Sequence, residues 1–221
     1  GFTTLAYLST DSDSLADVFI TGGLSTVDRH PDEVYALCYE KIRAASERYY
    51  RRFPEHRDVM RRLVDRAAAG EIVLPDGEVV SPSRLRSVGS ALGTNDGWQT
   101  VWSLLERDPA SNAFRHDLMH AMPYGGRNPL YFAFHESSYA SGHATRWSAE
   151  RTEPQDFRDD VTLFTGEHIR REWTETVPAF QPWRDVTLAL ADFEWPRIYN
   201  EVAIAASGAT GAAAVYVNDV Y

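Results

Sequence analysis

Only one cysteine, Cys38, occurs in the 221 residues, which excludes an internal disulfide. That usage fits a reducing compartment, so the expected location is cytoplasmic. Long hydrophobic runs are missing: no apolar stretch approaches the roughly 18 residues needed to cross a bilayer. Positive charge is in short supply, with 22 Lys and Arg against 32 Asp and Glu, a net charge of −10 and a pI near 5.1. A nucleic-acid surface needs the opposite balance. Neither a nucleic-acid nor a membrane partner is therefore expected, and a cationic substrate suits the charge better. The nucleophile-elbow pattern G-x-S-x-G does not occur, since Gly89-Ser90 and Ser141-Gly142 have the wrong spacing. There is no internal repeat and no low-complexity tract.

Strand character is almost confined to the two ends. Near the start, Val18, Phe19 and Ile20 form a β-branched and aromatic run too short for a helix, followed by the paired Gly22 and Gly23. The glycines let the backbone turn sharply or approach another chain closely. Near the end, Ala212 to Val217 reads as a second run of the same kind. The two are expected to be neighbouring buried strands of one sheet. A parallel pair needs a crossover, and here the crossover is large enough to be a domain. Ahead of the first strand, Gly1 to Leu8 reads as a helix and Asp11 to Ser14 as a polar turn. That order is half of a βαβ unit whose first strand is absent, so the chain reads as a piece of a longer one.

Between the strands the pattern is helical. Pro31 suits a first helical position, with Asp32 and Glu33 where the helix dipole favours negative charge. Val34, Leu37, Cys38, Ile42, Ala45 and Tyr49 then recur at helical spacing as far as Phe53, and Pro54 ends the run. Arg57 to Ala69 reads as a second helix. Its arginines, with Arg51 and Arg52, are best taken as a solvated face. Glu71 to Val80 reads instead as a small hairpin around Pro75-Asp76-Gly77. Further helices are expected from Ser81, over Trp98 to Arg107 and Ala110 to Met122, from Asn128, around His168 to Thr176, and over Pro182 to Ala191. Trp195-Pro196 closes the series.

Several residues are candidates for chemistry. His116 and His120 lie one turn apart, a metal-ligand spacing, but Asp117 replaces the glutamate of the zinc-protease motif and no third ligand is evident. No metal and no cofactor are expected. Gly208 to Gly211 lacks the lysine of a phosphate loop and precedes a strand. Glu136 lies in the most aromatic stretch, with Tyr131, Phe132, Phe134 and Tyr139. A carboxylate among aromatic rings can bind an ammonium group by charge pairing and cation–π attraction; the plainer reading is a glutamate facing solvent beside a packed stripe. Asp219 follows the last strand, at the edge where α/β proteins place working groups. The plainer reading there is a turn aspartate.

Taken together and in order, these segments resemble the proline iminopeptidases of the α/β-hydrolase fold. The likeness runs through Thr21-Gly22-Gly23-Leu24, His30 to Tyr35, Asn128 to Tyr131, His135-Glu136-Ser137 and Ala144 to Trp147. It continues through Leu163 to Glu167 and ends in Ala213 to Tyr216 with Asp219. It implies an α/β-hydrolase fragment in which two core strands bracket a large, mainly helical cap. The implied division is residues 1–27 as core, 28–200 as cap, and 201–221 as core strand and triad-aspartate turn. It implies that Asp219 is the triad aspartate, with the catalytic serine upstream of Gly1 and the triad histidine beyond the last residue. It also implies that Glu136 binds the substrate amine, with Glu167, Tyr139, Phe134, Gly22 and Gly23 as further substrate-binding candidates. The expected activity is serine-type release of N-terminal proline from peptides. The alternatives are another capped hydrolase, an esterase or epoxide hydrolase, or a helical binding module without catalysis. Nothing in the sequence indicates an oligomeric state.

Overall fold

The longest element is the helix α2 (Pro31–Arg52), and its sequence explains both its ends. His30 stands at the N-cap and its Nδ1 accepts the amide hydrogen of Asp32 at 3.1 Å, with Pro31 next, where no amide donor is needed. Acidic residues occupy the first turn and Arg51 and Arg52 the last, matching the helix dipole at both poles. Phe53 and Pro54 stop the helix before α3 (Glu55–Ala68) begins.

These elements come from a computed structural model that describes residues 1–24 and 26–220. Ahead of α2 lie α1 (Phe2–Thr10) and β1 (Asp17–Thr21). After α3 come α4 (Pro82–Arg86), α5 (Gly97–Leu105), α6 (Asn112–Ala121) and α7 (Pro129–Phe134). The short helices α8 (Ser148–Arg151), α9 (Gln155–Asp159) and α10 (Trp173–Thr176) follow. The last are α11 (Arg184–Asp192), α12 (Glu201–Ala206) and β2 (Thr210–Ala214). The fold is thus mostly helical with one small sheet.

β1 and β2 pair in parallel, Asp17 opposite Thr210 through to Thr21 opposite Ala214. The ends of the chain therefore lie side by side, as expected, and α1 packs on α12 beside them. Gly211 is required at this seam, because a Cβ there would collide with the Val18 carbonyl. Two expectations need correction. The second strand begins and ends earlier than the apolar run suggested, leaving Val215, Tyr216 and Val217 beyond it and exposed. Nor is the pair buried: Ile20 is the one buried residue of β1, Phe19 is 74% exposed, and all of β2 is exposed. A two-stranded ribbon flanked only by small helices has too few neighbours to cover both faces.

The helical part holds two apolar clusters. The larger joins Tyr39, Ile42 and Tyr49 of α2 to Met60 and Leu63 of α3, Val101 of α5, Phe114 of α6 and Phe164. The smaller gathers Tyr124, Phe132, Ile169, Trp173, Val177 and Phe180, with the Phe132 and Phe180 rings stacked 4.2 Å apart. The expected hairpin is present as a bridge between Val73 and Val79, with Leu74 and Val80 donating to Glu78 and Ile72. Around His168 only Trp173–Thr176 is helical, and α12 stands where no helix was expected. Asn200 caps α12 through the amide of Ala203.

Buried charge holds the hairpin to both clusters. Glu78 and Arg84 are each 3% exposed and meet at 3.0 Å. Arg84 also donates to the carbonyls of Pro123 and Tyr124 and lies over the Trp173 ring. Burial pushes the Glu78 carboxyl up, and the guanidinium beside it opposes that shift. Replacing Arg84 with Met leaves a buried carboxylate and two carbonyls unpaired. The expected loss is about 3–5 kcal/mol, read from the urea unfolding midpoint; a change below about 1 kcal/mol would show that the pair is dispensable.

Candidate functional site

Between the segments that follow the two strands and the helical layer lies a cleft of about 890 Å³, a size suited to a small ligand. α2 forms one wall by presenting Val34, Leu37, Cys38 and Lys41, spaced at three and four residues and hence on one face. Its other face buries Tyr35, Tyr39, Ile42 and Tyr49. The apolar stripe read from the sequence thus divides between cleft and core. Gly23 and Leu24 line the cleft just past β1, where positive φ at Gly22 (110°) and Gly23 (66°) turns the chain. Tyr216, Val217 and Asp219 enter from the segment after β2. Tyr131, His135, Ser138 and Tyr139 come from α7 and the 3-10 turn after it, Glu136–Tyr139.

Two carboxylates share this cleft. Asp219 lies in a turn whose amide donates to the Tyr216 carbonyl at 3.0 Å. Glu167 is held by the Tyr131 hydroxyl, 2.7 Å from both carboxylate oxygens. Burial and the negative charge of Asp219 raise the Glu167 carboxyl above its ordinary range, while the Tyr131 hydrogen bond opposes them. His135 Nδ1 is 3.8 Å from Glu167, but burial lowers that imidazole to about 4. At neutral pH it is an uncharged ring beside the carboxylate. Burial likewise pushes the Cys38 thiol up to about 12, helped by Asp219 and Glu167.

The structure sorts the sequence candidates. Glu167, Tyr139, Gly23 and Asp219 meet in the cleft, whereas Gly22, Phe134 and Glu136 do not line it. Phe134 points out of α7 into solvent. Glu136 is the main correction. It neither faces solvent nor reaches the cleft; it is 4% exposed, and its oxygens accept the amides of Ser148 at 3.1 Å and Ala149 at 2.9 Å. A buried carboxylate needs donors, and the unpaired amides opening α8 supply them. His120 Nδ1 meets the His116 carbonyl, and Asp117 pairs with Arg107. Among the described residues no group of three or more His, Cys, Asp or Glu is placed to hold a metal. Thr210 and Gly211 of the glycine-rich segment belong to β2. Lys41 and His135 were missed as lining residues. The helical spacing from Cys38 to Lys41 was the available signal for the first, and His135 had none beyond its aromatic neighbours.

Behind the cleft, His168 is fully enclosed, its Nδ1 accepting the Gly166 amide at 3.1 Å. Burial and the nearby Arg170 hold this imidazole down at about 3. The unfolded chain takes up that proton near pH 6.5 and the folded chain does not. The stabilisation is therefore complete above pH 6.5 and is lost as the pH falls towards 3. Glu167 acts in the opposite sense at the acid end, so the effect is read as a difference. Between pH 7 and 4 the protein should lose roughly 3 kcal/mol more than its His168→Gln variant in thermal unfolding; parallel curves would show that His168 is not held neutral.

No protein-family model matches the sequence. Two curated relatives do. A proline iminopeptidase of Aeromonas sobria is 29% identical over 236 residues, covering 100% of this chain and 54% of that protein. The proline iminopeptidase aneH of Aspergillus aculeatus is 26% identical over 235 residues, covering 100% and 52%. The chain spans about half the length of the curated relatives it matches. Among the described residues no helix is long and apolar enough to cross a membrane. From end to end the chain is similar to these two proline iminopeptidases, as its ordered motifs implied.

Proposed function

We propose that this chain supplies the helical cap and the triad aspartate of a serine-type aminopeptidase that releases N-terminal proline. In this reading residues 28–200 form a cap over an α/β-hydrolase core, to which the segments 1–27 and 201–221 belong. The observation that carries it is the meeting of Glu167 and Asp219 in one aromatic-walled cleft between the segments that follow the strands and the helical layer.

Each residue has a definite task. Ionised Glu167 pairs with the protonated secondary amine of the terminal proline, and Tyr131 fixes the carboxylate in place. The rings of Tyr139, Phe2 and Tyr131 flank the flat pyrrolidine. A residue before the proline would turn its amine into an uncharged amide with nothing to pair with Glu167, which makes the enzyme an exopeptidase. Asp219 holds the triad histidine in its productive tautomer and stabilises the imidazolium that forms during attack. Because Glu167 must be charged, affinity for a cationic amino terminus rises with pH as its raised carboxyl ionises.

In the full-length protein, Glu167→Gln should raise KM for a proline arylamide about tenfold or more. An unchanged KM would place the amine elsewhere. Asp219→Asn should lower kcat by about 10³–10⁴ with little change in KM. A full-length protein that splits simple esters but not proline arylamides would be a different capped hydrolase.

A further inference from the structure

Position 41 is the only lysine of the chain; the other 21 of its 22 basic residues are arginines. That lysine lines the cleft. Its ammonium donates to the Val217 carbonyl at 2.9 Å, a neutral acceptor, so no carboxylate spends its charge among the described residues. Arg29, the other cation lining the cleft, is already paired with Glu33 at 3.2 Å. In a protein of net charge −10, a cation in the wall of a cleft that also holds two carboxylates makes the cleft dipolar. Glu167 and Asp219 both act on Cys38, and Lys41 lies one helical turn further along the same face.

We propose that Lys41 forms a carboxylate subsite that takes the free C-terminus of a short peptide whose N-terminal amine sits at Glu167. This rests on the reading of Glu167 given above. The substrate class becomes zwitterionic di- and tripeptides, rather than the ends of long chains. Two or three extended residues span about 7–10 Å, and both Lys41 and Glu167 line the same cleft. The long, flexible lysine stem lets the ammonium keep its Val217 bond while a second hydrogen meets the carboxylate.

The test compares Pro-Ala-Ala as the free acid with its C-terminal amide, on the full-length protein, as a ratio of kcat/KM values. The wild type should prefer the acid about tenfold, and added salt should shrink that preference. Lys41→Met should bring the ratio close to one, and Lys41→Arg should retain most of it. A wild type indifferent to the C-terminal group overturns the proposal. So does a Lys41→Met variant that slows both peptides equally, because the lysine would then only hold the Val217 segment in place. The salt dependence in the wild type decides the matter if the Met variant does not fold. If neither peptide is turned over, the peptidase reading fails, and calorimetric affinities for the same two peptides decide the subsite independently: equal affinities overturn it, and tighter binding of the acid supports it.

Discussion

Parallel pairing of two short strands is the constraint from which the rest of this architecture follows. Antiparallel neighbours can be joined by a two-residue turn, but parallel neighbours oblige the chain to travel back along their whole length before re-entering the sheet. Here the return path runs from Thr21 to Thr210 and carries nearly all of the helices. The same pairing delivers Gly23 and Asp219 to one end of the ribbon, because both follow the C-terminal ends of their strands. An α/β ribbon places ligands at that end for this reason. The helical layer, folded back from between the strands, supplies the other walls of the cleft through α2 and α7.

That layer is held as much by arginine as by hydrocarbon. Arg84 spans from the hairpin to the Pro123 and Tyr124 carbonyls, and Arg86 donates to the carbonyls of Leu163 and Phe157. Arg170 binds Glu153 and the Tyr39 hydroxyl. The Arg84 and Arg86 forks satisfy backbone carbonyls left without partners, a need that grows when many elements are four to six residues long. The glutamates follow the same logic, Glu136 serving amides where Arg86 serves carbonyls. Polar satisfaction of irregular backbone thus fixes the position of the loop that carries Glu167.

What could be read from the residues alone divides along local and non-local lines. The long helix α2, its proline start and its stop at Phe53 were legible because caps and periodicity act within a few residues. So were the first strand, the Val73–Val79 hairpin and the pairing of the chain ends. The bounds of β2 were not, since Thr210 to Ala214 contains no β-branched residue after its first, and its pairing with β1 decides where it lies. Glu136 illustrates the harder case. Its neighbours in sequence are aromatic, which suggests a cation site, yet its partners are amides 12 and 13 residues away that only the folded chain brings near. Glu167 gave a weak signal for the converse reason: the tyrosine that orients it lies 36 residues earlier.

The sulfur of Cys38 sits in the wall of the cleft yet is buried like an interior atom. Burial, with Asp219 and Glu167 nearby, pushes its thiol up to about 12, away from the thiolate form that alkylating reagents and peroxide attack. The wall can thus stay chemically quiet in an oxidising moment that would modify an acidic thiol. As the chain's sole sulfhydryl, it also marks a single position in that wall, so any thiol label on this chain would report on the cleft alone.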